Sequence, residues 1–269
     1  VSYLIVDVSM VYAANAAKMG HLSHNGYPTG ALYGSWRSIM AAVKLWNADQ
    51  VYVCWDDGGT IVKRELFSEY KSGREGNTVA RWYDSATALD HKSFFHMWVD
   101  GMGYVDTSCP GTEADDVIAT LVRDVLTEDE CFIMSKDHDF KALLDTDRVS
   151  MVWGKDKLTS LDFYDDFGMQ PRQYAMYLAL AGDPTDSVPG ILKPSQAKAV
   201  VKQYEEDGGD LDLTPEQLAA YVRNVRLVSM GVKDPEKLKC YSGRYKPESL
   251  STIYESLGMK SLLTKIGKA

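Results

Sequence analysis

Nine carboxylates stand in five tight groups along the chain: Asp7; Asp56; Glu113, Asp115 and Asp116; Asp137 and Asp139; and Asp183 with Asp186. The i, i+3 spacing of Asp183 and Asp186 puts both on one helical face or in one turn, and Glu113 and Asp116 share that relation. Asp137 and Asp139 flank His138 just past an apolar run, so both can face one crevice. Gathering such groups is costly, because two like charges ~4 Å apart repel by roughly 4 kcal/mol at an effective dielectric of about 20. Hard divalent cations remove the cost, and a ligand set made only of oxygen selects Mg²⁺, Mn²⁺ or Ca²⁺ over zinc. Phosphodiester hydrolysis on two metal ions needs an acid-rich cup of this kind. The bland alternative is solvated surface acids in a chain that has 38 of them, with Asp115 and Asp116 marking only an acidic helix start.

The elements that would position these acids are legible as pattern. Three short apolar runs each end in an acid: Tyr3–Val6 before Asp7, Val51–Trp55 before Asp56, and Cys131–Met134 before Ser135-Lys136-Asp137. Brief β-rich runs among longer helical stretches predict βα units and a parallel sheet, whose ligands sit beyond the carboxyl ends of the strands. Helices are expected over Gly30–Asn47, Asp84–Met102 and Glu113–Leu126, the last with Thr112 as cap and with Val117, Ile118, Leu121, Val122 and Val125 at helical spacing. Ser72–Val79 reads as a polar, glycine-bearing loop. From Leu161 the character turns mainly helical, over Leu161–Phe167, Pro171–Ala181, Ser195–Tyr204, Pro215–Val228 and Pro247–Leu257, with Glu205–Asp212 as an exposed acidic loop. A boundary near residue 160 divides a core, 1–160, from a helical region, 161–269.

Composition narrows the class. With 269 residues, 45% hydrophobic and 25% charged, the chain has ample material for one large domain or two packed ones. Cys54, Cys109, Cys131 and Cys240 show no CxxC spacing, which speaks against a zinc knuckle or disulfide framework and suits a reducing compartment. Neither a basic, apolar leader nor an apolar run of about 18 residues is present, so a cytoplasmic protein without membrane spans is expected. A net charge of −9 counts against a nucleic-acid binder until one notes that bound cations would offset converging acids.

The ordered strings Leu4-Ile5-Val6-Asp7, Cys54-Trp55-Asp56, Glu113-Ala114-Asp115-Asp116, Ser135-Lys136-Asp137-His138-Asp139 and Gly182-Asp183-Pro184-Thr185-Asp186-Ser187-Val188-Pro189-Gly190 together resemble the 5′-nucleases. That family includes bacteriophage flap endonucleases and the 5′-nuclease domain of bacterial DNA polymerase I. The resemblance covers residues 4–190 in the family's order. It implies a PIN-like α/β core with a mainly parallel sheet flanked by helices, a helical arch (about residues 71–100), and a C-terminal helix-three-turn-helix-like segment (about residues 171–205) that grips duplex DNA. By similarity, Asp7, Asp56, Glu113, Asp115 and Asp116 serve a first metal and Asp137, Asp139, Asp183 and Asp186 a second, several through water, with Asp115 lying between both ions.

A basic element matches too. Tyr70-Lys71-Ser72-Gly73-Arg74 is similar to the family's YKxxR at the base of the arch. The likeness implies that Lys71 contacts the scissile phosphate, that Arg74 assists, and that Tyr70 can stack on a base near the cut. Upstream, Lys63 or Arg64 matches a basic position, with the local register open by one residue; Arg64 joins the expected DNA contacts. Arg81, Trp82 and Tyr83 suit either a strand channel or, for Trp82, the core. The family's glycine-rich hairpin is replaced by Gly190-Ile191-Leu192-Lys193-Pro194-Ser195-Gln196-Ala197, which puts duplex grip and the hairpin's monovalent-ion site in question; Lys193 and Lys198 would supply charge instead. Ser187 stands where the family has Asn. His91, His96 and His138 show no partner pattern, and Trp46, Trp98 and Trp153 read as core.

The expected function is metal-dependent hydrolysis of DNA at or near 5′ ends, as 5′–3′ exonuclease and flap endonuclease. Two Mg²⁺ ions are expected, with Mn²⁺ as substitute, and RNA in RNA–DNA hybrids is an additional expected substrate. A monomeric, stand-alone phage or bacterial enzyme of replication or repair fits this reading. The competing readings are a PIN-type ribonuclease, in which the GDxxDxxPG module has no role, and a non-catalytic protein that recognises branched DNA. A dehalogenase-like phosphatase stands further back, since Asp7-Val8-Ser9 is a poor version of its DxD nucleophile.

Overall fold

The computed structural model describes residues 1–74, 86–144, 147–207 and 211–267. Its strands are β1 (Ser2–Asp7), β2 (Ser23–His24), β3 (Tyr27–Pro28), β4 (Gln50–Cys54), β5 (Val105–Ser108), β6 (Glu130–Met134), β7 (Val149–Trp153), β8 (Asp156–Leu158) and β9 (Lys239–Ser242). The helices are α1 (Val8–Met19), α2 (Gly30–Trp46), α3 (Gly59–Leu66), α4 (Ala86–Met102), α5 (Ala114–Thr120), α6 (Ser160–Phe167), α7 (Tyr174–Ala181), α8 (Pro194–Asp207), α9 (Pro215–Val228), α10 (Pro247–Ser256) and α11 (Lys260–Leu263).

Seven strands form one sheet in the order β8-β7-β6-β1-β4-β5-β9, parallel from β7 through β5 and closed at both edges by an antiparallel strand. The apolar runs are continuous because both faces are buried. Successive side chains alternate between the faces. Ile5, Cys131 and Ile133 enter one cluster with α5, α7 and α9; Leu4, Val6, Val51, Val53, Phe132 and Met134 enter the other with α1, α2, α4 and α10. Trp36 and Trp98 stack at 5.4 Å in the second cluster. Trp98 is fully buried, while Trp46 and Trp153 pack partly buried against that cluster.

The register sets the site. Asp7 lies opposite Cys54 and Val6 opposite Met134, so β1, β4 and β6 end at one level and their following residues meet. Most of the expected strands and helices stand where their patterns placed them, and the departures include both sheet edges and a helix start. The polar run Lys239–Ser242, in the region expected to be helical, pairs antiparallel with β5 as β9; all four residues are exposed, so no burial pattern marked it. β8 turns back from β7 through Gly154 (φ 61°) as the other edge. Thr112 does not cap α5: its hydroxyl donates to Cys109 O at 2.7 Å, and Glu113 takes the cap position without a side-chain cap bond. Below α5 the helix widens over Leu121–Val125, and Arg148 donates there to Val122 O (2.6 Å) and Leu126 O (2.8 Å), serving carbonyls that the helix end leaves open.

The arch expected over about residues 71–100 falls partly on residues outside the described set. Within that range the described helix α4 buries Phe95, Trp98 and Val99 completely. Ser72–Arg74 is a short 3₁₀ turn rather than open loop, and the rest of Ser72–Val79 is not among the described residues. Helix α8 runs on to Asp207, past the expected start of the acidic loop. Among the described residues no helix is long and apolar enough to cross a membrane.

Candidate active site

Asp7 ends β1 with extended backbone, so its Oδ1 caps α1 by accepting from Met10 N at 3.1 Å. Its Oδ2 accepts from Ser135 Oγ at 2.8 Å, and Ser135 Oγ in turn accepts from Asp137 N at 3.0 Å, tying the first strand to the turn after the third. Asp56 follows β4. Its Oδ2 accepts from Ser9 Oγ at 2.5 Å, and its Oδ1 accepts from Ala114 N at 2.9 Å. Asp56 thus serves an N-terminal amide of α5, the task expected of Thr112.

Glu113 is free of capping because its carboxylate points at two lysines. Oε1 accepts from Lys71 Nζ and Thr60 Oγ1, each at 2.7 Å, and Oε2 lies 2.9 Å from Lys63 Nζ. Lys63 also stands 4.0 Å from Asp115 and 3.8 Å from Asp116, and Lys71 stands 3.5 Å from Asp186. Gly59 makes this approach possible: a Cβ on it would lie 2.2 Å from Glu113 N. Asp183 and Asp186 sit in a tight turn closed by paired bonds between Asp183 and Val188 at 2.9 and 2.8 Å. The turn returns so closely that a Cβ on Gly182 would lie 2.4 Å from Gly190 N.

Ligand atoms within 4.8 Å of one another occur in three groups: Glu113 with Asp115 and Asp116; Asp137 with His138 and Asp139; and Asp139 with Asp183 and Asp186. Asp139 joins the last two. The Tyr70 hydroxyl links the first to the last, at 3.1 Å from Glu113 Oε2 and 2.9 Å from Asp186 Oδ2. Asp7 and Asp56 border the cup, held by the serines and helix amides above, but fall in none of the three groups.

The charges respond as physics requires. Burial, with Asp56 adding repulsion, pushes the Asp7 carboxyl up to about 7. Burial and then Asp137 push Asp139 up to about 7 as well. Burial likewise raises Asp115 and Asp116 against the pull of Lys63. Glu113 goes the other way: burial would raise it, but Lys71 and Lys63 hold it well below the ordinary range. The surrounding carboxylates outweigh burial at Lys63 and keep it charged. His138, bonded to Asp183 and facing Asp139 and Asp137, is raised to about 9.

The donor set fits hard cations. In the metal-free protein Lys63 and Lys71 touch Glu113, Asp115, Asp116 and Asp186, and the protonated His138 ring faces Asp137, Asp139 and Asp183; a divalent ion would take the place of that imidazolium proton among the carboxylates. Asp139 Oδ1 is buried yet accepts no hydrogen bond, an orphaned acceptor aimed into the cup. The residues that would hold ions are those of the three groups.

Several sequence expectations need correction. Tyr70 is 1% exposed, its ring packed in the core and approached by Lys71 (5.0 Å) and Lys63 (5.6 Å), so it offers no face to a base. The ring favours burial, and the hydroxyl is satisfied there by two carboxylates. Of the two residues the sequence left open, Lys63 reaches the carboxylates, while Arg64 donates to the carbonyls of Tyr70 (3.0 Å) and Lys71 (3.4 Å). Lys193 and Lys198 are exposed at the start of α8. Arg81 and the side chain of Arg74 lie outside the described residues, as do Trp82 and Tyr83. Residues that the sequence left unassigned join the site: His138, Ser9, Ser135 and Thr60. Ser9, Ser135 and His138 stand within two residues of a site acid, whereas Thr60 meets Glu113 from 53 residues away and carried no signal.

A mainly parallel α/β sheet whose strand ends deliver clustered carboxylates, beside a buried Lys63 and a partly exposed Lys71, defines a candidate divalent-cation cup. Residues 2–168 match the 5′-3′ exonuclease, N-terminal resolvase-like domain, and the chain belongs to that family. The chain is 29% identical to the thermostable DNA polymerase I of Thermus thermophilus, across 98% of this chain and 33% of the polymerase. It is 27% identical to the 5′-3′ exonuclease of Bacillus subtilis, across 75% of this chain and 70% of that protein. The chain thus spans about a third of the length of the polymerase relative. In structure it is similar to the 5′-exonuclease of bacteriophage T5 with zinc bound, at a TM-score of 0.65 and 18% identity over 99% of each chain. It also resembles flap endonuclease-1 from Methanococcus jannaschii, at a TM-score of 0.59 and 11% identity over 99% of this chain and 90% of that one. The expected PIN-like architecture is therefore the one found.

Proposed function

We propose that this chain hydrolyses DNA phosphodiesters at or near 5′ ends, as a 5′–3′ exonuclease and flap endonuclease. The observation that carries the reading is the junction of the three carboxylate groups through Asp139 and Tyr70, with Lys63 and Lys71 paired to their acids, in a member of the 5′-3′ exonuclease family. RNA in RNA–DNA hybrids is a further proposed substrate, and the working form is taken as a monomer.

In this reading Glu113, Asp115 and Asp116, bordered by Asp7 and Asp56, hold one divalent ion, and Asp137, Asp139, Asp183 and Asp186 hold the other. Mg²⁺ is the proposed ion and Mn²⁺ its substitute. Bound there, the pair would activate water and offset charge on the leaving oxygen. Lys71 stabilises the negative charge that develops on the phosphate, being an ammonium already placed at the wall of the cup. Lys63 keeps the first carboxylates ionised and together. Arg74 and Arg81 extend the grip on the entering strand. Residues 161–269, with α7, the Asp183–Gly190 turn and α8 as the helix-turn-helix-like element, hold the duplex, and exposed Lys193 and Lys198 offer contacts to phosphate.

The test is cleavage of a labelled 5′ flap, a blunt duplex and a single strand, each with Mg²⁺, with Mn²⁺ and with EDTA. Metal-dependent release near the 5′ end of either duplex substrate is expected. Intact substrates under every condition, with DNA still bound, would favour a branched-DNA-binding protein instead.

A further inference from the structure

His138 stands between two acids in the chain, and its ring also stands between carboxylates in space. Asp137 caps the turn that follows, its Oδ1 accepting from Asp139 N at 3.1 Å, and His138 is the first residue of that turn. Nε2 then lies 3.3 Å from Asp139 Oδ1 and 3.4 Å from Asp183 Oδ1, and Nδ1 lies 3.8 Å from Asp137 Oδ1. One donor atom each from Asp137, His138 and Asp139 falls within 4.8 Å of the others, and this trio shares Asp139 with the trio of Asp139, Asp183 and Asp186. Asp139 is 8% exposed, and its Oδ1 accepts no hydrogen bond despite the nearby ring. A buried acceptor without a hydrogen bond, beside an imidazole and two further carboxylates, is the donor arrangement of a mixed nitrogen–oxygen metal site.

We propose that His138 is a nitrogen donor to the second carboxylate group, making that group mixed where the group of Glu113, Asp115 and Asp116 is all oxygen. The consequence is metal discrimination between the two halves of the cup. Imidazole favours Co²⁺ and Zn²⁺, whereas carboxylates alone suit Mg²⁺ and Mn²⁺. The second group therefore takes the softer ions in preference to Mg²⁺, and the first does not. This rests on the reading of the cup as a metal site.

The alternative role for His138 is a counter-charge that merely keeps Asp137, Asp139 and Asp183 together. The two roles separate cleanly. A counter-charge changes the binding of every divalent ion by the same factor, while a nitrogen donor changes Co²⁺ and Zn²⁺ and spares Mg²⁺.

The experiment uses the full chain stripped of metal with a chelator. Wild type and His138→Gln are titrated with Mg²⁺ and with Co²⁺ by calorimetry, and the Co²⁺ complexes are followed by visible absorption. His138→Asn serves the same comparison should the Gln variant fail to fold by circular dichroism. At one of two sites the variant is expected to lose about tenfold in Co²⁺ affinity, the low end for losing a group that supports a metal. Mg²⁺ should stay within about twofold, and the Co²⁺ ligand-field bands should move to longer wavelength as nitrogen leaves the coordination sphere. Equal changes for both ions, or no change for either, would overturn the inference and leave the metal site standing. Failure of the wild type to bind either ion would overturn both.

Discussion

The backbone amide of Lys71 donates to the carbonyl of Asp186 at 2.9 Å, so the lysine and the carboxylate that border the cup are fixed to one another through main chain. The side chains then meet at 3.5 Å, and Tyr70, one residue earlier, gives its hydroxyl to the same carboxylate. Both strands of this contact are strained: Lys71 has φ 55° and Ser187 has φ 60°, a region that side-chain-bearing residues avoid. The base of the expected arch and the Asp183–Gly190 turn are one mechanical unit.

That unit separates the tasks of the two lysines. Lys71→Ala is expected to slow cleavage by two to three orders of magnitude, roughly the loss for removing one donor to developing charge, with the circular dichroism spectrum unchanged. Lys63→Met removes the cation shared by Glu113, Asp115 and Asp116. It should destabilise the metal-free protein by about 3–5 kcal/mol, as breaking a buried ion pair does, measured by urea unfolding. Equal effects of the two substitutions on both readouts would refute the division.

Stability without metal should fall as pH rises. Asp7 and Asp139 titrate at about 7 in the folded chain against about 3.9 unfolded, so between those values the native state binds the extra protons and loses its advantage with increasing pH. His138 adds to the trend: raised to about 9, its contribution is complete below about 6.5 and lost as pH climbs through 9. Glu113 acts only at the acid end, where its depressed value makes stability drop as pH falls below the ordinary carboxylate range. Melting temperatures in EDTA should therefore decline from pH 5 to pH 8. Mg²⁺ should raise them more at pH 8 than at pH 5, and a flat profile would contradict the burial of these acids.

Asn224 is fully buried in α9, where its Nδ2 donates to Ala179 O (2.9 Å) and Pro189 O (2.8 Å). It joins the end of α7 to the turn that carries Asp183 and Asp186. Asn224→Ala leaves two buried carbonyls without that donor and should cost about 1–3 kcal/mol per orphaned group, with a further fall in cleavage as the turn loosens. Asn224→Ala with wild-type unfolding and wild-type rate would show that the turn holds without the clamp.

Ser187 occupies a left-handed position where the family has Asn. Asn tolerates that conformation better than Ser. Ser187→Asn should stabilise the protein by about 0.5–1 kcal/mol, a share of the ~1–2 kcal/mol that left-handed backbone costs an ordinary residue. Thermal unfolding would show it, and a loss of stability would mean that the strain lies elsewhere.

The sequence made the carboxylate positions legible because parallel strands of alternating, doubly buried residues have one register and one functional end. Asp7, Asp56 and Asp137 could be placed from strand pattern alone. What it left open turned on single-residue geometry. Lys63 and Arg64 differ by about 100° around a helix, and no pattern says which faces inward. Tyr70 reads as an aromatic beside a phosphate lysine, and only the packing reveals that its ring is core and its hydroxyl a bridge. His138 and Asn224 carry no motif; each acts through neighbours that are distant in sequence, Asp183 and Pro189. The edge strand β9 is four exposed polar residues, so backbone pairing with β5 is its whole signal.

The most direct measurement is cleavage of a labelled 5′ flap in Mg²⁺ and in Mn²⁺ by the Asp137→Ala/Asp139→Ala protein beside wild type, with DNA binding followed in parallel. Both carboxylate groups that share Asp139 lose members in this variant. Cleavage by wild type and none by the variant, with DNA binding largely kept, is the expected result. Cleavage at the wild-type rate by the variant would contradict a hydrolytic centre built on these acids.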